Sequence, residues 1–235
     1  MKGDKPLNDF ADKFYINFIK DDRWKYLLNG LGVTLKVTFF AVLIGVAIGF
    51  LIAIIRSTHD KTGKLKIANV IANLYITIIR GTPVLVQLLI IYFVVFQSVN
   101  IDKVIVAIIA FGMNSGAYVA EIVRSGIMAV DNGQFEAGRS LGFNYNQTMK
   151  IIILPQAIKN ILPALGNEFI VLLKETSVAG YIALEDLTKG GDIIRSRTFD
   201  AFMPLIAVAV IYLVLVMLLT KLVNYFERRL RNSEH

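Results

Sequence analysis

The stretch that decides the fold is Val37–Ile55, VTFFAVLIGVAIGFLIAII, which contains no ionisable side chain. Three further blocks without Asp, Glu, Lys, Arg or His are Gly81–Ile101, Val104–Ala120 and Ala201–Thr220. A helix needs about 20 apolar residues to cross the hydrocarbon core of a membrane, whereas the strands of a β-barrel would alternate apolar and polar residues. The blocks therefore predict an all-α membrane protein with several spans, and they exclude a soluble enzyme.

The overall composition agrees with a membrane location. Of the 235 residues, 55% are hydrophobic and only 18% are charged, with a mean hydropathy of +0.60, whereas soluble domains carry about 25% charged residues. The chain has no cysteine, which excludes a disulfide framework and thiolate chemistry.

The net charge of +7 comes from 25 Lys and Arg against 18 Asp and Glu. The excess of positive charge lies in 56–66, after the first apolar block, and in 227–231, after the last. Short basic loops beside spans are typical of the cytoplasmic side, so the charge predicts topology and not nucleic-acid binding. Residues 1–30 lack the basic start, apolar centre and small-residue cleavage site of a signal peptide, and we expect none.

Five spans are predicted within a single transmembrane domain, residues 31–230. They cover about 33–55, 67–97, 104–123, 155–173 and 201–226. The second span, at about 30 residues, would reach roughly 45 Å, which exceeds the thickness of the hydrocarbon core. Because Pro83 removes a backbone donor and disfavours helix in the residue before it, we expect a kink or break near Thr82, with Arg80 near the membrane surface.

An odd number of spans places the two termini on opposite sides of the membrane. The basic 56–66 loop and the basic C-terminus should share the cytoplasmic side, so the N-terminus is expected outside. Residues 1–30 then form an external segment, in which aromatic side chains indicate an interfacial helix. These are Phe14, Tyr15, Phe18, Trp24 and Tyr26.

Two Gly-x-x-x-Gly pairs, Gly45 with Gly49 and Gly112 with Gly116, would let helices approach closely. The spacing fits either packing within the chain or a seam between two copies. Packing within the chain is preferred because such spacing is common in glycine-rich spans.

The polar segment 131–154 between the third and fourth spans predicts a helical hairpin on the cytoplasmic side. It reads as a short helix, a turn at Gly142, a second short helix from Asn144 and a stop at Pro155, where the fourth span can begin. From these residues alone, the hairpin is either a docking element or a connector.

Polar side chains inside the spans form stripes at helical spacing. Asn114, Tyr118 and Glu121 share one face of the third span; Asn167 and Lys174 share one face of the fourth, with Glu168 and Glu175 beside them. Ionisable groups within a span cost at least about 2.5–3.5 kcal/mol at its centre, so they pair, face the bundle interior or line a water-filled path. The stripes therefore indicate a substrate path, and the alternative is that the outermost residues reach into the headgroup region.

Several chemistries have no support in the sequence. The one Gly-Lys pair, Gly63-Lys64, is followed by Leu65 and does not form a phosphate-binding loop. The two histidines, His59 and His235, lie in a basic loop and at the terminus, where solvation is expected and not metal ligation. No catalytic residues and no metal site are predicted.

The hairpin resembles the signature loop of the membrane permeases of ATP-binding-cassette importers. That signature is Glu-Ala-Ala, then Gly after three intervening residues, nine free positions, Ile, one free position and Leu-Pro. The matching residues here are Glu136, Ala137, Gly142, Ile152, Leu154 and Pro155. Gly138 stands where the family has Ala; it keeps the position small and is expected to loosen the helix by up to about 1 kcal/mol.

Three flanking segments are similar to the polar amino-acid branch of this family. They are Arg80–Gln87, Ala117–Arg124 and Leu165–Ser177, and the resemblance runs from about Gly30 to Arg229. It implies the type I ABC importer permease fold, with five transmembrane helices and a cytoplasmic coupling-helix hairpin. The seven hairpin residues named above, Gly138 included, would then couple the chain to an ATPase.

The resemblance also implies partners and a function. It implies a second permease subunit, identical or paralogous, a dimer of ATPase subunits that binds ATP and Mg²⁺, and an extracytoplasmic amino-acid-binding protein. The chain itself would bind no cofactor and catalyse no reaction. It would import a polar amino acid of the histidine, glutamine, glutamate, arginine or cystine type by alternating access across the cytoplasmic membrane of a prokaryote.

Two other functions stay open from the residues. One is an ion-coupled secondary transporter or channel whose intramembrane carboxylates carry protons or sodium, although five spans without an inverted repeat disfavour it. The other is a membrane scaffold without a transport role.

Overall fold

The computed structural model describes residues 10–231, and over that range the chain consists of helices joined by short loops. The first nine residues of the predicted external segment, and His235, lie outside the described part. The helices are α1 (Phe10–Phe14), α2 (Trp24–Thr62), α3 (Lys66–Gly81), α4 (Val84–Ile90), α5 (Lys103–Met128), α6 (Asn132–Ser140), α7 (Tyr145–Thr148), α8 (Leu154–Glu175), α9 (Leu187–Thr198) and α10 (Phe202–Arg231). Three π-helical segments, Tyr15–Ile19, Ile91–Val95 and Met149–Ile153, follow α1, α4 and α7.

Three of the described helices are long and apolar enough to cross a membrane. The stretches that qualify are Trp24–Asp60, Lys103–Met128 and Phe202–Leu230, and the bent pair of α3 and α4 adds a fourth if it crosses as one span. Helix α8 has 22 residues, but polar side chains such as Lys159 and Glu168 make it less apolar than these. The all-α membrane architecture agrees with the sequence, and the fifth crossing remains a prediction.

The expected break near Thr82 is confirmed. Helix α3 ends at Gly81, Thr82 is extended with φ −124° and ψ 147°, and α4 begins after Pro83. The axes of α3 and α4 are bent by 109°. The chain therefore turns back at this point, which is a sharper change of direction than a kinked span would make.

Helices α2 and α5 form the centre of the bundle, and their glycines make the close approach possible. A Cβ at Gly45 would lie 2.8 Å from the Ser115 side chain, and one at Gly112 would lie 2.8 Å from that of Ile44. Gly49 and Gly116 are used in the same way. The Gly-x-x-x-Gly pairs therefore serve packing within the chain, as preferred from the sequence.

The predicted hairpin is present, and one detail of it is wrong. Gly142 has a left-handed φ of 79°, and Asn144 caps the second helix through reciprocal hydrogen bonds with Gln147. The predicted stop at Pro155 does not occur, because helical structure continues from α7 through Met149–Ile153 into α8. Pro155 lies in the first turn of α8 after a wider π turn, so its ring and missing N–H are accommodated.

The long helix α2 defines the two ends of the bundle. Its 39 residues span about 58 Å. Near its start, Gly30 packs against the backbone of Asp186, just before α9. Near its other end, the Ser57 hydroxyl lies 3.3 Å from the Tyr145 hydroxyl in α7. We call these the α9 end and the hairpin end.

Candidate functional site

A buried polar network joins α4 and α5 at the centre of the bundle. Asn114 Nδ2 donates to Gln87 Oε1 at 3.1 Å, and Gln87 Nε2 donates to the carbonyl oxygens of Ile79 at 2.7 Å and Thr82 at 3.0 Å. Gln87 therefore satisfies backbone acceptors that the break between α3 and α4 leaves free. Asn114 Oδ1 is buried and has no hydrogen-bond partner among the described residues.

The next residue of α5 binds a carboxylate of α8. Ser115 Oγ donates to Glu168 Oε1 at 2.8 Å, and Glu168 is only 8% exposed. Because Asn114 and Ser115 are adjacent, α5 presents one polar group to α4 and one to α8. Two of the sequence-predicted path residues, Asn114 and Glu168, are thus both buried and both held by neighbouring helices.

Glu121 and Tyr118 belong to a second cluster, on α2, α3 and α5. The Arg56 guanidinium donates to Glu121 Oε1, and Arg80 Nη1 lies 4.0 Å from Glu121 Oε2. The Arg80 guanidinium also lies 5.4 Å from the centre of the Tyr118 ring, in a cation–π contact. The Glu121 carboxylate is therefore paired within the chain, and its role here is to tie three helices together.

Two of the three remaining predicted path residues lie on the exposed face of α8. Asn167 and Lys174 are exposed, and Glu175 is half-buried at the end of the helix. Val171, on the same stripe, is also exposed. Asn167 and Lys174 therefore face away from the core of this chain, whereas Glu175 lies on the same helical face as buried Glu168, seven residues earlier.

The hairpin presents an exposed surface that no other described part of the chain covers. Glu136, Ala137, Leu141 and Gly142 are exposed, Leu141 to 70%. A groove of about 680 Å³ runs beside them. It is lined by Thr62, Asn132, Phe135, Glu136, Arg139, Phe143, Asn144, Tyr145 and Thr148.

The other hairpin residues face inward and fix it to the bundle. Gly138 is buried, and a Cβ there would lie 2.6 Å from Thr148 Cγ2. Ile152 packs against the cluster around buried Ile153, Val123 and Ala157. Leu154 is half-buried and Pro155 exposed, at the start of α8. The hairpin is therefore a rigid extension of α5 and α8.

A third buried polar site lies at the α9 end and was not predicted from the sequence. Asp186 is 1% exposed; its Oδ1 accepts from the Lys189 backbone N–H at 2.8 Å and caps α9. Thr34 Oγ1 accepts from the Leu187 backbone N–H at 3.1 Å. Burial raises the pKa of the Asp186 carboxyl to about 6, and the backbone hydrogen bonds only partly oppose that shift.

Sequence reasoning also missed Gln87, Ser115, Arg56 and Arg80 as parts of the polar clusters. The signal for Gln87 was available, because it is the only polar side chain between Val84 and Ile91. The partners of Arg56 and Arg80 depend on how three helices cross, which no local pattern gives. Among the described residues, no three His, Asp or Glu side chains come together in a group that could hold a metal ion.

Comparison with known proteins finds both a family and individual relatives. Residues 45–232 match the family described as the binding-protein-dependent transport system inner membrane component. The arginine transport system permease protein ArtQ of Bacillus subtilis is 38% identical over 211 residues, 89% of this chain and 94% of the relative. The glutamine transport system permease protein GlnP of Escherichia coli is 36% identical over 208 residues, 87% and 93% of the two chains.

A solved structure shares the same arrangement of helices. It is an amino acid ABC transporter with histidines, 48% identical, with a TM-score of 0.82, covering 90% of this chain and 98% of that chain. The likeness therefore extends over most of the chain. The permease fold expected from the resemblance is therefore confirmed, while the count of five transmembrane helices stays a prediction.

Proposed function

Since the chain belongs to the family of binding-protein-dependent transport system inner membrane components, and has the permease fold of amino-acid ABC transporters, we propose that it imports a polar amino acid by ATP-driven alternating access. It is a non-catalytic membrane subunit, and ATP hydrolysis belongs to a separate ATPase subunit. The named substrates of two relatives, arginine and glutamine, support a polar amino acid as the cargo.

The observation that carries the proposal is the exposed face of the hairpin. Glu136, Ala137 and Leu141 are exposed on a short helix that is packed firmly onto α5 and α8. A small exposed surface on a rigid support suits docking, because a displacement of the docked partner moves the supporting helices with it. Gly142 and the inward-facing Gly138, Ile152, Leu154 and Pro155 would maintain the shape of this surface.

The partners follow from the same premise. A dimer of ATPase subunits that binds ATP and Mg²⁺ would dock at the hairpin end, and an extracytoplasmic amino-acid-binding protein would dock at the α9 end. This assignment places the hairpin in the cytoplasm, the start of the chain outside and the C-terminus inside, across the cytoplasmic membrane of a prokaryote. No nucleic-acid partner is proposed.

The polar clusters would have different parts in transport. Glu168 offers a carboxylate and Asn114 an unfilled amide oxygen, and both can accept hydrogen bonds from the ammonium of an amino acid. Asn167 and Lys174 lie on the exposed face of α8, and Glu175 is half-buried at the end of that helix. A second permease subunit, identical or paralogous, would complete the path beside them. Tyr118 and Glu121 would hold α2, α3 and α5 together on one side of it.

Uptake by reconstituted complexes tests the function. The chain is purified with its ATPase and binding protein, inserted into proteoliposomes, and supplied with radiolabelled arginine or glutamine. Uptake should require ATP on the ATPase side and should be unaffected when ion gradients are removed. Uptake driven by a proton or sodium gradient without ATP would instead support a secondary transporter and contradict the proposal.

The Glu136→Lys variant tests the role of the hairpin. The side chain is exposed in this chain, so the bundle should fold normally. Docking of the ATPase would bury it, and reversing a charge that is buried at an interface costs several kcal/mol. Uptake and substrate-stimulated ATPase activity should therefore fall about tenfold or more. Asp12→Lys, an equal charge change on exposed α1 at the opposite end of the bundle, is the control and should leave co-purification of the ATPase subunits unchanged, whereas Glu136→Lys should reduce it. Normal coupling by Glu136→Lys in an intact complex would contradict the docking role.

A further inference from the structure

A pocket at the α9 end lies between the N-terminal segment and the start of α10. Its volume is about 440 Å³. It is lined by Lys13, Ile16, Asn17, Thr198, Phe199, Asp200, Ala201 and Phe202. The transport function proposed above does not use it.

The pocket carries a base, an acid and an unfilled acceptor. Lys13 is exposed at its rim, and Asp200 lies on the opposite element. Asn17 is only 1% exposed, and its Nδ2 donates to Lys13 O at 2.9 Å and to Asp200 Oδ2 at 2.8 Å. These two acceptors fix the orientation of the amide, so Asn17 Oδ1 is the oxygen that remains buried without a partner among the described residues. A buried acceptor of this kind is costly unless a donor reaches it.

The local backbone supports a binding role for this place. The π-helical turn Tyr15–Ile19 turns Asn17 inward, and such turns occur frequently at functional sites. On the facing loop, Phe199 has a left-handed φ of 55° and is 95% exposed. A bulky residue rarely adopts that conformation, yet here it holds a phenyl ring outward at the rim of the pocket.

The pocket lies where the apolar surface of the bundle begins. Helix α10 exposes Phe202, Leu205 and Ile206 in its first two turns, and Phe14 is exposed on the neighbouring α1. Exposed aromatic rings beside charged groups are typical of the boundary between lipid and water. The location of the pocket therefore favours a lipid headgroup as its ligand.

We propose that the pocket binds the headgroup of a zwitterionic phospholipid that carries a primary ammonium, such as phosphatidylethanolamine. The phosphate pairs with Lys13, and the ammonium donates to Asp200 and to the unfilled Asn17 Oδ1. The quaternary ammonium of phosphatidylcholine cannot donate hydrogen bonds, and an anionic headgroup has no cation for Asp200. The site therefore distinguishes lipids by the nitrogen and not by the acyl chains.

Native mass spectrometry of the full chain, purified and depleted of lipid, tests this assignment. The protein is incubated with equal amounts of phosphatidylethanolamine, phosphatidylcholine and phosphatidylglycerol that share the same acyl chains. We expect phosphatidylethanolamine to be retained about tenfold more than phosphatidylcholine, the ratio that one charge-assisted hydrogen bond supplies. Equal retention of the two, or preferred retention of phosphatidylglycerol, would overturn the proposal.

Two variants separate the two halves of the headgroup. Asp200→Asn removes the negative charge and can keep only one of the two hydrogen bonds that Asp200 now accepts, from Asn17 or from the Phe202 backbone N–H. Because Asn17 Oδ1 remains as an acceptor for the ammonium, the variant should reduce the preference over phosphatidylcholine several-fold. Lys13→Gln changes an exposed side chain. It should lower the retention of phosphatidylethanolamine and of phosphatidylcholine several-fold and should preserve the ratio of the two. The control, Asp12→Asn, changes an exposed carboxylate outside the pocket and should change nothing. An unchanged ratio in Asp200→Asn, with helicity intact by circular dichroism, would show that the pocket is not the site.

Discussion

The Ser115 hydroxyl donates a hydrogen bond of 2.8 Å to Oε1 of Glu168, and both residues are buried between α5 and α8. A carboxylate is thereby held in the bundle by a neutral donor, and no salt bridge to it is found within residues 10–231. Such a group stays available to a ligand that brings its own positive charge, as the ammonium of an amino acid does.

Ser115→Ala should destabilise the protein, because it removes the hydrogen bond that Glu168 receives inside the bundle. The expected loss is about 1–3 kcal/mol, measured as a lower midpoint of thermal unfolding in detergent. Ser125→Ala is the matched control, because the Ser125 hydroxyl is exposed and bonds only to Ile122 O of its own helix. If both variants unfold at the same temperature, the Ser115–Glu168 bond contributes nothing to stability.

Exchanging the charges of Arg56 and Glu121 tests the ion pair between α2 and α5. Arg56→Glu alone places two carboxylates together and should lower the unfolding midpoint, as should Glu121→Arg, which faces Arg56 and Arg80. The double variant restores opposite charges and should recover part of the loss, with a coupling energy of about 0.5–3 kcal/mol. Strictly additive losses would mean that the pair does not interact in the folded protein.

Gly138→Ala should destabilise the hairpin, although Ala is the residue that the related signature carries here. A Cβ would come 2.6 Å from Thr148 Cγ2 and 2.8 Å from its Oγ1, and this clash opposes the gain of up to about 1 kcal/mol in helix propensity. Thr148→Ala removes both atoms, together with a buried hydroxyl that has no partner among the described residues. The double variant should therefore be at least as stable as the wild type in thermal unfolding. A double variant less stable than Gly138→Ala alone would contradict this account.

Asp186 should make stability fall as the pH rises from about 4 to 6. Its folded pKa of about 6 lies above the ordinary value of 3.8, so the folded state binds a proton more tightly than the unfolded state. The stabilisation by that proton is complete below pH 4 and is lost as the pH passes 6, a change of about 3 kcal/mol. Unfolding midpoints measured between pH 4 and 7.5 should decrease in the wild type and should decrease less over this window in Asp186→Asn.

Asp192 on the same helix provides the comparison. Hydrogen bonds from Lys189 and Arg195 lower the pKa of its carboxyl. The ionised form of Asp192 therefore stabilises the folded state, and this stabilisation is lost only as the pH falls below the ordinary pKa of an Asp side chain. Asp192→Asn should therefore keep the decrease between pH 4 and 6. A flat profile in Asp192→Asn would show that Asp186 is not the group responsible.

Local patterns in the sequence predicted much of the fold. Apolar blocks and turn chemistry act over a few residues, so the long helices, the break at Thr82 and the turn at Gly142 could be found without tertiary information. The continuation of helix through Pro155 could not, because it depends on a π turn that a proline in a first turn permits but does not require. Helix α9 and its buried Asp186 were missed because a short polar helix resembles a loop in composition.

Prediction of the candidate site was more limited. Helical spacing places Asn114, Tyr118 and Glu121 on one stripe, but it does not say which neighbouring helix each side chain meets. The structure assigns Asn114 to Gln87 and Glu121 to Arg56, two contacts that depend on how the helices cross. On α8, Glu168 is buried and Asn167 exposed although they are adjacent in sequence, since one residue corresponds to about 100° around a helix.

The π turn Met149–Ile153 has a consequence for the angular setting of α8. A π turn contains one residue more than an α turn. The extra residue changes the rotation of α8 about its axis relative to the hairpin. If that residue were released into regular α-helix, α8 would turn by about 100° about its own axis relative to the hairpin. A neighbour such as Asn167 would then take the angular position that Glu168 now occupies beside Ser115, and the chemical character of the bundle interior would change without any helix leaving its place.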